Sequence, residues 1–507
     1  MKTIKYIIGT VLALTLFGGC NDWLDVNPRS QVRETVLFQT ESGFKQALTG
    51  VYIMVAEKEL YGKNTSMYMP EILAQHWQTQ PGSEDGTLTQ IDRLANFDYT
   101  YSSVESLINT VWLRYYKAIA QLNTILQNLE NTEVSFQYNN DLLIKGEALG
   151  LRAFLHLELL RYYGPVPSES TPGEMAIPYV REMSTDPWKY VSIPYSEVLE
   201  HIEEDLNAAE ELLDTVDPIF DYSNDALNGL TASARMPEDV WQRSRQERFN
   251  YYACLGTKAR FYQWTGDKEK AAYYARKVVE ATEANGQPKF PLATEDTYIN
   301  TSGGAGRINL IMRCEHLFGI YNSELSKIIE PLFSKETGNI QLTQSPTNLE
   351  ACYEFTMNPA DIRYKPSNQP SRYWEITISQ SEVNRFRKYG GNSTFDTNNS
   401  NRFRVPLLRV AEMYLILMED LPLEEAKPYF TDFRFSRGMD ASLEALFENN
   451  RMERLEKEYR KEFFGEGQMF FFYKRLNYRS YAWPEVYTLP VSVSYTLPKP
   501  KDQTVFE

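Results

Sequence analysis

The sequence predicts a mainly helical protein with one irregular, loop-rich region in its second half. Three observations carry that expectation. Apolar residues recur at helical spacing through most of the chain, first at Phe44, Ala47, Leu48, Val51, Tyr52 and Val55. One pair of these helices has the small-residue and glycine spacing of a structural repeat. From about 285 to 403 the periodicity gives way to segments rich in Gly, Asn, Ser, Thr and Pro. At 507 residues the chain exceeds the ~100–200 residues of a typical domain and is long enough to bury a large core.

The leader comes first. Lys2 and Lys5 precede an apolar run from Tyr6 to Phe17, closed by Gly18-Gly19-Cys20. About a dozen apolar residues fall short of the ~20 needed to span a bilayer, so residues 1–19 are expected to be a secretory signal rather than an anchor helix. Small residues before Cys20 suit cleavage at that bond, and Cys20 is the expected site of lipidation, which tethers a domain to a membrane without crossing it. An ordinary secreted protein with a chance cysteine is the alternative. No later stretch is apolar enough to cross.

The 44–55 stripe follows Thr40, a candidate cap, with Glu41 in the first turn. Val104, Leu107, Ile108, Val111, Tyr115, Ile119, Leu122, Leu126 and Leu129 continue helical spacing over about seven turns. A helix through Glu147-Ala148 and Leu151 to Phe154 is apolar on most faces and therefore central, and Gly164-Pro165 ends it. Val198, Ile202, Leu206, Ala209 and Leu213 form another stripe, its acidic residues making a solvated face. Ala259 and Tyr262 before a Gly266-Asp267 turn, with Ala271, Tyr274, Ala275 and Val278 after it, match the offsets of a 34-residue tetratricopeptide repeat. Small residues let the two helices approach, and glycine permits the turn. Leu255 stands where that repeat usually has tryptophan. Two such helices cannot bury their face alone, so neighbouring repeats are expected.

In the broken region, 302–306 and 390–393 are predicted loops and Trp374 to Ile378 alternates like a short strand. Helices are predicted to resume at Leu408 and again from Arg451 to Arg475, before a Pro-punctuated tail. Long irregular insertions on a rigid scaffold are where binding surfaces lie.

Composition excludes several functions. The chain carries 52 Lys and Arg against 68 Asp and Glu, a net charge of −16 with dispersed acids, which repels nucleic acid. The four histidines, His76, His156, His201 and His316, form no H-x-x-x-H pair, so neither metal nor cofactor is expected. There is no G-x-S-x-G, and the glycines at 303, 304 and 306 lack the Lys-Ser/Thr of a phosphate loop. His156 is expected to be a buried, satisfied histidine. Apart from Cys20, three cysteines remain; Cys254 reads as core, while Cys314 and Cys352 either pair or stay free.

Several segments together resemble the SusD/RagB family of outer-membrane nutrient-uptake lipoproteins. The resemblance rests on Cys20-Asn21-Asp22-Trp23-Leu24-Asp25, Phe38, Gly43-Phe44, Ala47-Leu48 and Val51-Tyr52 near the start. It continues through Trp112, Tyr115 and Asn123, Glu147-Ala148, Leu151 to Phe154, and most specifically Tyr163-Gly164-Pro165-Val166-Pro167. Leu408-Arg409, Ala411-Glu412, Glu458, Arg460, Glu462, Glu466-Gly467-Gln468 and Lys474-Arg475 extend it to the C-terminal half. Phe472 and Tyr473 stand where the family commonly has Asp-Leu, so any polar contact of that aspartate is absent. The resemblance implies an all-helical scaffold of tetratricopeptide-like helix pairs with a loop-rich ligand-binding subdomain. Its expected divisions are a signal at 1–19, an N-terminal region at 20–230 and a C-terminal region at 231–507 containing the variable insertion at about 285–403. It further implies a non-enzymatic, surface-exposed lipoprotein of the outer membrane that captures oligosaccharide for a SusC-like TonB-dependent transporter. An oligopeptide ligand is the alternative within the family, and a secreted glycoside hydrolase the alternative outside it.

Glu458, Glu462 and Glu466 recur at i, i+4 spacing, with Arg460 and Arg475 as available counter-charges. They read as ion pairs, because a glycosidase's two carboxylates flank a cleft ~5–10 Å wide rather than line one helix. Aromatics make up 13% of the chain, including 34 tyrosines and 8 tryptophans, more than helix packing alone requires. An exposed ring stacks on the C–H face of a sugar, so the candidate ligand contacts are Trp77 with its neighbour His76 before the irregular Gln80-Pro81-Gly82, and Tyr298, Tyr321 and Trp374 in the broken region. By type each of these rings reads as core more readily than as contact, since most large aromatics are substantially buried.

Overall fold

The computed structural model describes residues 34–78, 86–229, 235–300, 307–333, 342–364, 373–375, 385–389, 403–440, 444–484, 487–489 and 493–505. Cys20 and the predicted loops at 302–306 and 390–393 lie outside them. Among the described residues no helix is long and apolar enough to cross a membrane.

Helix α1 (Glu41–Val55) begins where the Thr40 hydroxyl accepts the Gly43 N–H at 3.1 Å, and it buries Phe44, Leu48, Val51 and Val55. Helix α2 (Ser102–Glu130) spans 29 residues, about 44 Å at ~1.5 Å per residue. Helix α3 (Asn140–Tyr163) is buried along nearly its whole length and ends at the extended Gly164. Helix α4 (Tyr195–Val216) packs along α3. Glycines make the approach to α3 close: a Cβ on Gly146 would stand 2.9 Å from Leu213 and one on Gly150 2.1 Å from the Phe249 ring. Arg152 ties three helices together, its guanidinium bonding Asp205 of α4 at 2.7 and 2.8 Å and Asn123 of α2 at 2.9 Å.

The predicted repeat is present. Helices α5 (Tyr251–Thr265) and α6 (Lys268–Val279) are joined at Gly266, whose φ of +83° is the left-handed conformation that glycine adopts without a Cβ clash. Tyr262 stacks on Tyr274 at 5.5 Å, and Ala271, Ala275 and Val278 are buried between the helices and their neighbours.

Two stretches differ from the periodic reading. Leu408 and Arg409 are not helical: strand β2 (Arg404–Arg409) pairs antiparallel with β1 (His316–Tyr321), placing Tyr321 opposite Arg404, and helix α7 (Val410–Asp420) starts only afterwards. Pro406 within this two-stranded ribbon lacks the N–H that a helix interior would need. Helix α8 (Leu423–Ser436) follows. The predicted run from Arg451 to Arg475 is two helices, α9 (Arg451–Glu462) and α10 (Gln468–Arg475). Gly465 and Gly467 break it with φ of +79° and +78°, and the buried Glu71 carboxylate accepts both their N–H groups at 2.8 and 2.7 Å. The predicted strand at 374 pairs only Trp374–Glu375 with Arg385–Phe386, and 376–378 lie outside the described residues. Cys254, Cys314 and Cys352 are free thiols.

Candidate ligand-binding surface

The irregular region is fixed to the helices by charge. Glu462, at the end of α9, accepts from Arg409 at 2.6 Å, Arg437 at 2.8 and 2.9 Å and Arg363 at 3.0 Å. Glu458 takes Lys461 at 2.6 Å and Arg363 at 3.1 Å. Glu466 takes Arg409 at 2.7 and 3.0 Å and also Lys388. Glu315, just before β1, completes the set with Arg409 at 2.7 Å and Arg437 at 2.8 Å. All these side chains are buried. The three glutamates are ion-paired, as their spacing predicts, but not with the expected arginines. Arg460 pairs instead with Glu456, and Arg475 with Glu419 at 2.7 Å. The glutamate face of α9 turns into the protein, so apart from Lys461 on the helix itself its counter-charges arrive from other segments, Arg363, Arg409 and Arg437, with Lys388 meeting Glu466 just beyond the helix.

Burial alone would raise the pKa of these acids, yet the surrounding cations outweigh it. Lys461, Arg363 and Arg434 hold Glu458 down at about 2, and Arg437, Arg409 and Arg363 hold Glu462 well below the carboxylate range. A general acid must carry a proton near neutral pH, and these two groups do not. Among the described residues no group of three or more His, Cys, Asp or Glu is placed to hold a metal ion.

Of the five nominated contact residues, three face inward. Trp77 is only 6% exposed. Its indole N–H donates to the Met67 carbonyl at 2.9 Å, and its ring meets Phe464, Phe333 and Phe386 at 5.0–5.3 Å. Trp374, 3% exposed, packs 6.0 Å from Trp77 and 5.1 Å from Phe464. His76 is fully buried; its Nδ1 lies 2.8 Å from Glu71 and its ring stacks on Phe464 at 4.7 Å. The expectation of open aromatic faces therefore fails for these three. The Trp77 turn, the helix end at Phe333, the short strands at Trp374 and Phe386 and the Phe464 turn meet here, and interlocked rings replace the apolar helix stripe as the local core. Tyr298 ends the short helix Glu295–Tyr298, and its side chain lies outside the described residues. His156 is buried and satisfied, with Nδ1 2.9 Å from the Arg152 carbonyl and Nε2 accepting the Val180 N–H at 3.0 Å.

Tyr321 is the exception. It ends β1 and is 45% exposed. The Arg404 guanidinium lies 5.2 Å from its ring centre and Phe403 meets it edge-on at 5.9 Å. Asn322 fixes the end of the ribbon, donating through its side chain to the Ala56 carbonyl at 2.7 Å and through its N–H to the Phe403 carbonyl at 2.8 Å. Behind the ring, Arg404 binds Glu247, and the same carboxylate oxygen accepts Arg313 at 3.2 Å. Sequence reasoning missed Glu247, Arg313, Phe403 and Arg404, because they come from three separated segments. The strand register that sets Arg404 opposite Tyr321 is the signal that joins two of them. It also missed Trp188, 63% exposed in the turn after Pro187.

Comparison with known proteins follows the same lines. A family model described as "Starch-binding associating with outer membrane", a SusD-like family, matches residues 22–263. SusD-like protein P25 of Formosa agariphila is 23% identical over 177 residues, a match covering 34% of this chain and about a third, 32%, of that protein. A SusD superfamily protein of Bacteroides thetaiotaomicron superposes with a TM-score of 0.64 at 21% identity, covering 86% of this chain and 89% of that one. A SusD-like carbohydrate binding protein of Bacteroides vulgatus gives 0.64 at 18%, covering 92% and 96%. These likenesses show the shared helical-repeat fold.

Proposed function

We propose that this chain, which matches the SusD-like family model over residues 22–263, is a glycan-binding lipoprotein of the outer-membrane surface. It captures oligosaccharide and delivers it to a partner SusC-like TonB-dependent transporter, with Cys20 as the lipid anchor. It binds its ligand without transforming it. The observation that carries the reading is Tyr321: a half-exposed ring on a two-stranded ribbon whose other end is locked into a buried ion network. Such a ring offers a flat apolar face at small cost in flexibility. The saturated carboxylates of Glu458 and Glu462 weigh against a hydrolase, and the carbohydrate-binding relative of the same fold favours glycan over peptide.

The test is a glycan and peptide array with the soluble form lacking residues 1–20, followed by titration calorimetry on the best ligand. Tyr321→Ala is expected to cost about 1–3 kcal/mol of affinity with little change in melting temperature. Binding of peptides alone, or turnover of a glycan that disappears on mutating one carboxylate, overturns the reading. The anchor is tested separately: Cys20→Ser is expected to move the folded protein out of the membrane fraction in cells lacking the transporter, and continued membrane association refutes lipidation.

A further inference from the structure

A cavity of about 470 Å³ opens between α2 and the short C-terminal helix Lys501–Thr504. That size lies within the ~300–1,000 Å³ of small-molecule sites. Its apolar wall is Leu113 of α2, 63% exposed, with Tyr190 at the end of the turn Pro187–Tyr190. Trp112 also lines it although only 3% exposed, its ring held by Tyr116 and Tyr163 at 4.8 Å. A buried indole N–H ordinarily finds an acceptor. Among the described residues none takes the Trp112 N–H, and neither the side-chain amide of Asn109 nor the Asp502 carboxylate, both in the lining, makes a hydrogen bond. The walls are tied to each other: the Gln503 amide donates to the Tyr190 carbonyl at 2.7 Å and the Lys499 ammonium to the Ser192 hydroxyl at 2.6 Å. Lys501 pairs with Glu105 of α2 at 2.7 Å.

We propose that this cavity is a second saccharide site, separate from Tyr321, which takes a short neutral stretch of a glycan. This adds to the glycan-binding reading above, on which the choice of ligand class rests. A sugar presents C–H faces edged by hydroxyls, each of which both donates and accepts. Leu113 and Tyr190 suit the faces, while the Trp112 N–H donates, Asp502 accepts and Asn109 does both. A wholly apolar ligand would leave those three groups unpaired, which costs free energy. An extended peptide would need a strand edge to pair with, and the cavity is walled by helices and turns. Glu105 and Asp502 face Lys501 alone among the charged lining residues, so the lining does not attract an anion. Because the walls are joined before a ligand arrives, little ordering is lost on binding. Were the cleft only a seam between packed elements, its indole donor would be satisfied within the chain, as that of Trp77 is by the Met67 carbonyl.

The experiment follows the indole N–H signals of the eight tryptophans by nuclear magnetic resonance in isotope-labelled soluble protein lacking residues 1–20. The protein is titrated with malto-, cello-, xylo- and manno-hexasaccharides and with oligogalacturonate. The Trp112 signal is assigned by its loss in Trp112→Phe. At least one neutral hexasaccharide is expected to shift it in a saturable way. The double variant Asn109→Ala, Asp502→Ala, at two positions that are not buried, is expected to weaken that response about tenfold, as the loss of two hydrogen bonds implies. It also identifies the signal if Trp112→Phe does not fold, as the one whose response weakens. In Tyr321→Ala the Trp112 response is expected to persist. Binding of hexasaccharide that leaves the Trp112 signal unmoved refutes the second site while leaving glycan binding intact. A response that the double variant does not weaken, or that disappears in Tyr321→Ala, refutes it in the same way. A response to oligogalacturonate and to none of the neutral sugars refutes the ligand class. Failure to bind any glycan refutes both readings.

Discussion

Replacing Glu458 with Gln removes one charge from the buried network while keeping the side chain's size. The carboxylate is held by Lys461 at 2.6 Å and Arg363 at 3.1 Å, with Arg434 at 3.8 Å. Its proton affinity falls from an ordinary 4.5 to about 2 on folding, which corresponds to about 3 kcal/mol of stability. The neutral amide mimics the protonated acid, so the variant is expected to lose a similar amount at pH 7, within the ~3–5 kcal/mol typical of breaking a buried pair. Because the folded pKa is depressed, the stabilisation is fully present above about 4.5 and is lost as pH falls toward about 2. Denaturant unfolding of both proteins from pH 7 to pH 3 measures this. The wild type should shed stability across the acid range and approach the variant, whose own slope is shallower by the same group. A variant as stable as wild type at pH 7, or a gap that stays constant down to pH 3, would refute the reasoning, since the charge would then contribute nothing.

Gly150→Ala forces a Cβ to within 2.1 Å of the Phe249 ring; it should cost about 1–3 kcal/mol or more, seen as a lower thermal midpoint. Tyr262→Ala opens a cavity beside Tyr274 and is expected to cost about 3–5 kcal/mol, whereas Tyr262→Phe loses only the 2.5 Å bond to Glu203 and about 1 kcal/mol, a contrast that denaturant midpoints resolve. Trp77→Ala should reverse the pattern of Tyr321→Ala, with a fall of about 3–5 kcal/mol in stability and unchanged affinity of whatever fraction remains folded; calorimetry beside thermal melts separates the two.

The helical half of the fold was legible because its signal is local. A stripe such as Phe44 to Val55, or the Gly266 turn between two small-residue helices, is decided by residues within a few turns of one another. The errors fall where the deciding partner is distant. Leu408 and Arg409 have helical neighbours but pair with Phe318 and His316 across the ribbon, and the break before Gln468 is fixed by Glu71, some four hundred residues earlier. The candidate site shows the same divide. Residue type nominated aromatic rings as a class, yet whether a ring faces solvent depends on what folds over it. Trp77 and Trp374 cover each other, whereas nothing among the described residues closes over Tyr321, which stays half exposed. Glu247 and Arg313 carry no sequence pattern at all; they become a pair only because the turn Arg245–Glu247 packs against β1 and the turn Arg313–Glu315 leads into it.

Arg363, Lys388 and Arg409 come from separate segments of the second half of the chain, yet all three close on Glu458, Glu462 and Glu466 in α9 and the turn after it. Those segments are therefore fastened at one place, by contacts that do not depend on the length of chain joining them. Lengthening a connection twofold costs only about 0.6 kcal/mol of closure entropy, small beside the ~3–5 kcal/mol lost when a buried pair is broken. Changes in the chain between such anchors then leave the scaffold in place, much as a tool head is changed on a fixed handle.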